Sequence, residues 1–418
     1  MRGLATIRVP IEREPGLENE ILHTMRTGAR PLTPAQRSLV AIAAATVLNL
    51  PFGTIYAFSV FLKPMEALLG VGRAQMTLVF ALATISLTVG MNLAPWLYRR
   101  LAPVKVVMAA GTGSAIGLYL TATATGLSQL ALGYGVLFGL GGGICFIVVQ
   151  QGVNQTLVSR GGLVNGYVVG LYPLGAMIGA PLFGWAIAVH GLRATLGGLG
   201  VTVLFATLLT AWLVRLADIR LHDSSDTASA TVDRRWRVFI RLFAVFFLAA
   251  AAGLTVMSQA AGIIQAYGGQ TVLALGATTL ITAAIAGARI GGGWLVDRFS
   301  MPRVAAGAHL WSLAGALLLT LWPGPLVAIP ALAMIGMGYG LISGSTAGAI
   351  VQYWHRSAYG TVASQLYIAW CVAAVSLPVL AGWLFDRTQG YGAAVMIAAG
   401  GNLLGTILAL GLPGRAQR

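Results

Sequence analysis

Arg289 sits inside an apolar run covering about 273–296, and nothing else in that run carries a charge. A cation in hydrocarbon is expensive and normally faces a cavity or a partner. Counting ~1.5 Å per helical residue, it lies roughly 12 Å inside Asp297, near the middle of a ~30 Å apolar layer. No Asp or Glu falls within any apolar run of the chain; Glu66 and Asp386 stand at run ends, and Asp297 is two turns away. A guanidinium offers a planar fork of donors that suits a carboxylate. A bound organic anion is therefore the natural counter-charge. The alternative is an arginine satisfied by backbone carbonyls and water.

Other polar groups within apolar runs point less sharply. Gln150, Gln151 and Asn154 cluster at one end of a run, with Gln352 in a corresponding place later. Interhelical hydrogen bonding is the expected role for them. His309 could titrate near neutrality, and it reads as structural. Cys145 and Cys371 both lie in apolar runs, which excludes a disulfide framework or a zinc site. No Gly-x-x-x-x-Gly-Lys-Ser/Thr loop is present, so ATP coupling within the chain is not expected. Neither a metal cluster, nor a nucleophile with its base, nor paired carboxylates occurs in the runs. The reading is therefore not an enzyme, with no cofactor and no metal.

The elements that must position Arg289 follow from composition. Hydrophobic residues make up 57% and charged residues only 9% of the 418 residues, and the mean hydropathy is +0.82. A soluble domain carries about 25% charged residues. In hydrocarbon only helices and closed barrels satisfy their backbone groups. Barrel strands alternate apolar and polar residues, whereas these runs are continuous and about 20 residues long, as a spanning helix requires. The runs number twelve, at 38–63, 75–98, 103–124, 129–150, 163–188, 195–215, 239–262, 273–296, 302–322, 325–348, 361–384 and 391–412. An all-α membrane protein is expected, with a tail over 1–37, a first six-helix bundle over 38–215 and a linker over 216–238. A second six-helix bundle over 239–412 and a short tail over 413–418 complete it.

The formal charge of +15 is a topology signal rather than a nucleic-acid groove. Of 26 Lys and Arg, only Lys63, Arg73, Arg193 and Arg387 fall on one side of the spans, and Arg289 on neither. The rest share a side with the linker, whose Asp218, Asp223, Asp226, Asp233, Arg234, Arg235 and Arg237 are solvated. The positive-inside rule puts both termini in the cytoplasm. The tail shows no apolar core or cleavage site, so no cleavable signal is expected.

The two halves resemble each other at an offset of about 197–200 residues. Gly135, Gly139 and Gly143 recur every fourth residue in segment four, as Gly336, Gly340, Gly344 and Gly348 do in segment ten. Gly139-Leu-Gly-Gly-Gly aligns with Gly336-Met-Gly-Tyr-Gly, and Arg160 matches Arg356. Such glycines let a neighbouring helix approach closely. Duplicated bundles suit alternating access about a central site.

At this point the chain resembles the major facilitator superfamily. Gly293-Trp-Leu-Val-Asp297-Arg298-Phe-Ser-Met-Pro-Arg303 is similar to that family's cytoplasmic loop signature. The resemblance implies a gate latch carried by Asp297, Arg298 and Arg303. The first-half loop, Ala94-Pro-Trp-Leu-Tyr98-Arg99-Arg100, lacks the glycine and the acid, so a weaker latch or none is expected there. Within the superfamily the chain resembles the oxalate–formate antiporter and monocarboxylate porter branch. The likeness rests on Gly53-Thr-Ile-Tyr56-Ala-Phe-Ser-Val-Phe-Leu-Lys63-Pro64, on Arg160-Gly-Gly-Leu-Val-Asn-Gly166, and on the place of Arg289 before Asp297. It implies that Arg289 binds substrate and that Tyr56, Tyr172 and Tyr339 line the pocket. A tyrosine there offers a hydroxyl and a ring face, and Trp370 is a further candidate. Departures are informative. The oxalate carrier's second cation is replaced near Leu366, and the monocarboxylate carriers' acid before the arginine is Ile285.

The expected function is secondary transport of a small organic anion, a monocarboxylate, by a monomer in the inner or plasma membrane. Its partners are the substrate and the lipid bilayer, with no nucleic acid. Antiport and symport stay open. A larger neutral or weakly anionic metabolite, a vitamin or an exported drug, is the alternative. A non-transporting scaffold or a membrane enzyme is the remote one.

Overall fold

A computed structural model describes residues 32–158, 161–221 and 235–414. Arg160, most of the expected tail 1–37 and most of the linker, including Asp223, Asp226, Asp233 and Arg234, lie outside the described residues. Twelve helices are long and apolar enough to cross a membrane. They are α1 Pro34–Ala57, α2 Arg73–Arg100, α3 Pro103–Ala122, α4 Leu127–Thr156, α5 Gly161–His190 and α6 Leu192–Leu216. The second half supplies α7 Trp236–Ala266, α8 Thr271–Arg298, α9 Met301–Leu321, α10 Pro325–Tyr353, α11 Arg356–Thr388 and α12 Gly392–Leu410. No strand occurs among the described residues. The twelve expected segments are all present, with edges moved by several residues.

The first span is not the single helix expected over 38–63. Thr33 opens α1 with a capping box to Gln36. Regular helix stops at Gly53, a 3-10 turn covers Thr54–Ala57, and a separate helix runs Ser59–Leu69. Pro51 lacks the N–H that would continue the ladder. At Gly53 a Cβ would lie 2.3 Å from the Tyr172 carbonyl oxygen. The break therefore needs a glycine and presses α1 onto α5.

Each half is built on the same glycine contact. A Cβ on Gly143 of α4 would meet the Leu87 carbonyl at 1.9 Å and the Met91 nitrogen at 2.8 Å on α2. On Gly340 of α10 it would meet the Ile285 carbonyl at 2.6 Å and the Arg289 nitrogen at 3.4 Å on α8. The repeat read in the sequence is thus a repeat of backbone contacts, and Met91 occupies in the first half the place of Arg289 in the second.

The halves meet along α5 and α8. A Cβ on Gly162 would lie 2.5 Å from Asp297, on Gly166 2.5 Å from the Arg289 carbonyl, and on Gly170 only 3.5 Å from the Ala286 carbonyl. The seam is tight near Asp297 and loosens away from it. Hydrogen bonds join the halves at Arg289 and between it and the Asp297 end.

Candidate functional site

Arg289 is held by backbone on both sides of its helix. Gly166 of α5 and Gly344 of α10 pass its carbonyl so closely that a Cβ would lie 2.5 Å and 1.7 Å away. The side chain is only 3% exposed. One guanidinium nitrogen donates to the Val169 carbonyl of α5 at 3.1 Å and another to the Tyr339 hydroxyl of α10 at 2.9 Å. The Tyr339 ring stands 5.2 Å from the guanidinium carbon, within cation–π range. Nε has no protein partner. The arginine is thus anchored by the Val169 carbonyl and the Tyr339 hydroxyl, with Tyr56 beside them, while the Nε part of its donor fork stays unused.

Around it the predicted tyrosines do converge. Tyr56, on the 3-10 turn of α1, has its ring 6.2 Å from that of Tyr172 and 6.0 Å from that of Trp370. It is also an electrostatic neighbour of Arg289 and Tyr339. Tyr172 contributes its ring only, because its hydroxyl donates to the Gly142 carbonyl at 3.3 Å. Three further aromatic pairs close the group. Phe146 of α4 lies 5.1 Å from Tyr172 and 5.4 Å from Tyr367 of α11, and Tyr367 lies 6.0 Å from Phe246 of α7. Phe146 and Tyr367 escaped the sequence reading. Tyr367 stands one turn from Trp370 on the same helix, and that spacing was the available signal. One cation within a ring of aromatics gathered from both halves suits a ligand with one negative group and an apolar body.

The residues expected to gate divide. Asp297 accepts the backbone N–H groups of Gly162 and Leu163, both at 2.8 Å, so its charge faces the N-terminus of α5. Arg298 lies 3.8 Å over the Trp294 ring, and Arg303 is exposed in the first turn of α9.

The first-half loop, expected to hold a weak latch or none, does reach across. Arg99 donates to the Thr361 hydroxyl at 3.2 Å, and Gly360 packs against the Tyr98 hydroxyl. Gln151 donates to the Arg356 carbonyl at 3.1 Å and accepts the Gly360 N–H at 2.7 Å, while Arg356 donates to the Leu157 carbonyl. Asn154 and Asn165 exchange amide bonds at 2.8 and 2.7 Å, as interhelical partners should. Gln150 and the Gln352 carbonyl oxygen find no protein partner. His309 bonds Asn402 of α12 at 2.9 Å, far from this group, in keeping with a structural role.

Twelve apolar helices long enough to cross a membrane, with a buried arginine among aromatic rings from both halves, are those of a multi-pass membrane protein. The chain belongs to the Major Facilitator Superfamily, which it matches over residues 42–378. That is a family of transporters rather than enzymes. It is 26% identical over 390 residues to monocarboxylate transporter 13 of Rattus norvegicus, covering 90% of this chain and 88% of the relative. It is 25% identical over 285 residues to the uncharacterized MFS-type transporter YhjX of Escherichia coli, covering 66% of this chain and 70% of that one. FucP in its outward conformation shares the fold, with a TM-score of 0.73 at 16% identity, over 91% of this chain and all of that chain.

Proposed function

We propose that the chain is a secondary active transporter of a small organic anion, a monocarboxylate with an apolar skeleton, bound between the halves at Arg289. The observation that carries this reading is the partly unused donor fork of a buried cation amid aromatic rings, with Asp297 and Asp386 standing only at the ends of their spans. A carboxylate accepts from the fork, Tyr339 and Tyr56 orient it, and Tyr172, Phe146 and Tyr367 take the carbon skeleton. Leu366, buried where the oxalate carrier has its second cation, argues against a dicarboxylate. The bundles over 38–215 and 239–412 rock about the bound anion, and Asp297 releases α5 when the site opens to its side. The Asp297 side is the cytoplasmic one, in an inner or plasma membrane, by the distribution of basic residues. The relatives named monocarboxylate transporters support the substrate class.

The test is thermal stabilisation of the purified protein by a panel of monocarboxylates, because only binding to the folded state raises the midpoint. The parent is expected to shift with at least one member. Arg289→Gln, folded and inserted, is expected to show no shift, and Arg289→Lys a weak one. An undiminished shift in Arg289→Gln makes the neutral-metabolite reading the better one.

A further inference from the structure

Three arginines lie over tryptophans four residues earlier: Arg100 over Trp96 at 4.2 Å, Arg298 over Trp294 at 3.8 Å, and Arg387 over Trp383 at 4.1 Å. The tryptophans are 49%, 41% and 49% exposed. Exposed tryptophans at the ends of spans stand at the headgroup level of a bilayer. The first two pairs close α2 and α8 on the Asp297 side; the third lies on the opposite side.

Beside the first pair an apolar groove of about 240 Å³ opens between α2, α3 and α4. Leu97 and Leu101 of α2, Ala109 and Gly113 of α3, and Leu140 and Ile144 of α4 line it. Lys105, Ala109 and Gly113 are spaced four apart and share a face of α3. An exposed cation therefore stands one turn before the lining residues of α3, next to Arg100 across a tight turn. The groove holds no acidic residue. The cleft beside Arg298, by contrast, is lined by Asp297 itself, whose carboxylate repels an anion.

We infer that the groove between α2, α3 and α4 binds one acyl chain of an anionic phospholipid, with its headgroup phosphate on Arg100 and Lys105. A guanidinium resting on a ring keeps its N–H edge free for phosphate oxygens. Two cations beside the groove select an anionic headgroup, as basic pockets between membrane helices do. A peptide is the poorer occupant, since its backbone groups would go unpaired along an apolar groove at membrane depth. The site is independent of Arg289 and of what the transporter carries.

The purified full-length protein would be unfolded thermally with added dioleoyl phosphatidylglycerol, dioleoyl phosphatidylcholine or glycerol phosphate. The expected result is a midpoint several degrees higher with phosphatidylglycerol than with phosphatidylcholine, and no shift with glycerol phosphate. Arg100→Gln should erase the difference between the two lipids. Gly113→Leu should reduce stabilisation by both, because a Cβ there meets nothing within 4 Å and the new side chain fills open groove. Arg387→Gln, the same pair on the other side, should behave as the parent. An unchanged lipid difference in Arg100→Gln overturns the inference, as does an unchanged response in Gly113→Leu. Equal stabilisation by glycerol phosphate reveals an anion site without a lipid and overturns it too. Should Arg100→Gln fail to fold, native mass spectrometry of the parent decides: preferential retention of phosphatidylglycerol supports the site, and equal retention of both lipids overturns it.

Discussion

The Asp297 carboxylate of α8 accepts the Gly162 backbone N–H of α5 at 2.8 Å, and a Cβ on Gly162 would lie 2.5 Å from that same oxygen. Acid and glycine thus form one device: the charge caps a helix N-terminus, and the missing side chain lets it come close. Asp297→Asn replaces one accepting oxygen by a donor that faces an N–H. Charge-assisted bonds are each worth about 1.5–3 kcal/mol, so transport is expected to fall roughly tenfold to a hundredfold. Gly162→Ala should do the same by preventing closure. Arg99→Ala loses a single exposed bond to Thr361 and should keep most of the activity. Uptake into proteoliposomes at matched protein content measures all three. Equal losses for Asp297→Asn and Arg99→Ala would show that the two loops latch equally.

Topology is open to a direct check. In a variant lacking Cys145 and Cys371, cysteines at Ser224, outside the described residues, and at Gly390 between α11 and α12 should label from opposite faces. An impermeant thiol reagent on intact cells is expected to reach Gly390→Cys and spare Ser224→Cys. Labelling of both from outside would contradict cytoplasmic placement of the linker.

Arg289 was legible because a charge inside an apolar run is rare and costly, whatever packs around it. The twelve spans were legible for the same reason in reverse, since their polar interruptions are few. Phe146 and Tyr367 were not, because an aromatic residue in an apolar run gives no sign of which face it presents. The partner of Asp297 was hidden more deeply. It is a pair of backbone N–H groups more than a hundred residues away, and a backbone donor leaves no trace in residue type. The break in α1 had its signals in Pro51 and Gly53, yet hydropathy alone runs straight through them.

Gly344 sets how closely α10 lies on the helix that carries Arg289. A Cβ there would stand 1.7 Å from the Arg289 carbonyl oxygen, which is backbone and cannot swing aside. Overpacking of this kind costs about 1–3 kcal/mol. Gly344→Ala should lower the thermal midpoint by several degrees and weaken substrate binding together. Gly287→Ala, on α8 where a Cβ meets nothing within 4 Å, should leave both unchanged. Helix propensity favours Ala over Gly, so a drop for Gly287→Ala equal to that for Gly344→Ala would show that the loss does not come from the α8–α10 contact.

Tyr339 is both neighbour and acceptor of the guanidinium, with its hydroxyl 2.9 Å from Arg289 and its ring pressed on Gly253 of α7. Tyr339→Phe keeps the ring and the packing but removes the acceptor that aims the arginine. The guanidinium then keeps the Val169 carbonyl and its neighbour Tyr56 but loses the acceptor on α10. If Tyr339 positions the arginine for an anion, affinity should fall by about tenfold, in line with one lost hydrogen bond of roughly 1–1.5 kcal/mol. Stability should change little, since no cavity is made. If the hydroxyl instead competes with the substrate for the same donors, affinity should rise. Binding isotherms for a monocarboxylate that stabilises the parent separate the two outcomes. Gly253→Ala is the control for packing, because its Cβ would strike the Tyr339 ring at 2.3–2.5 Å. That variant should lower stability and affinity together, whereas Tyr339→Phe should move affinity alone.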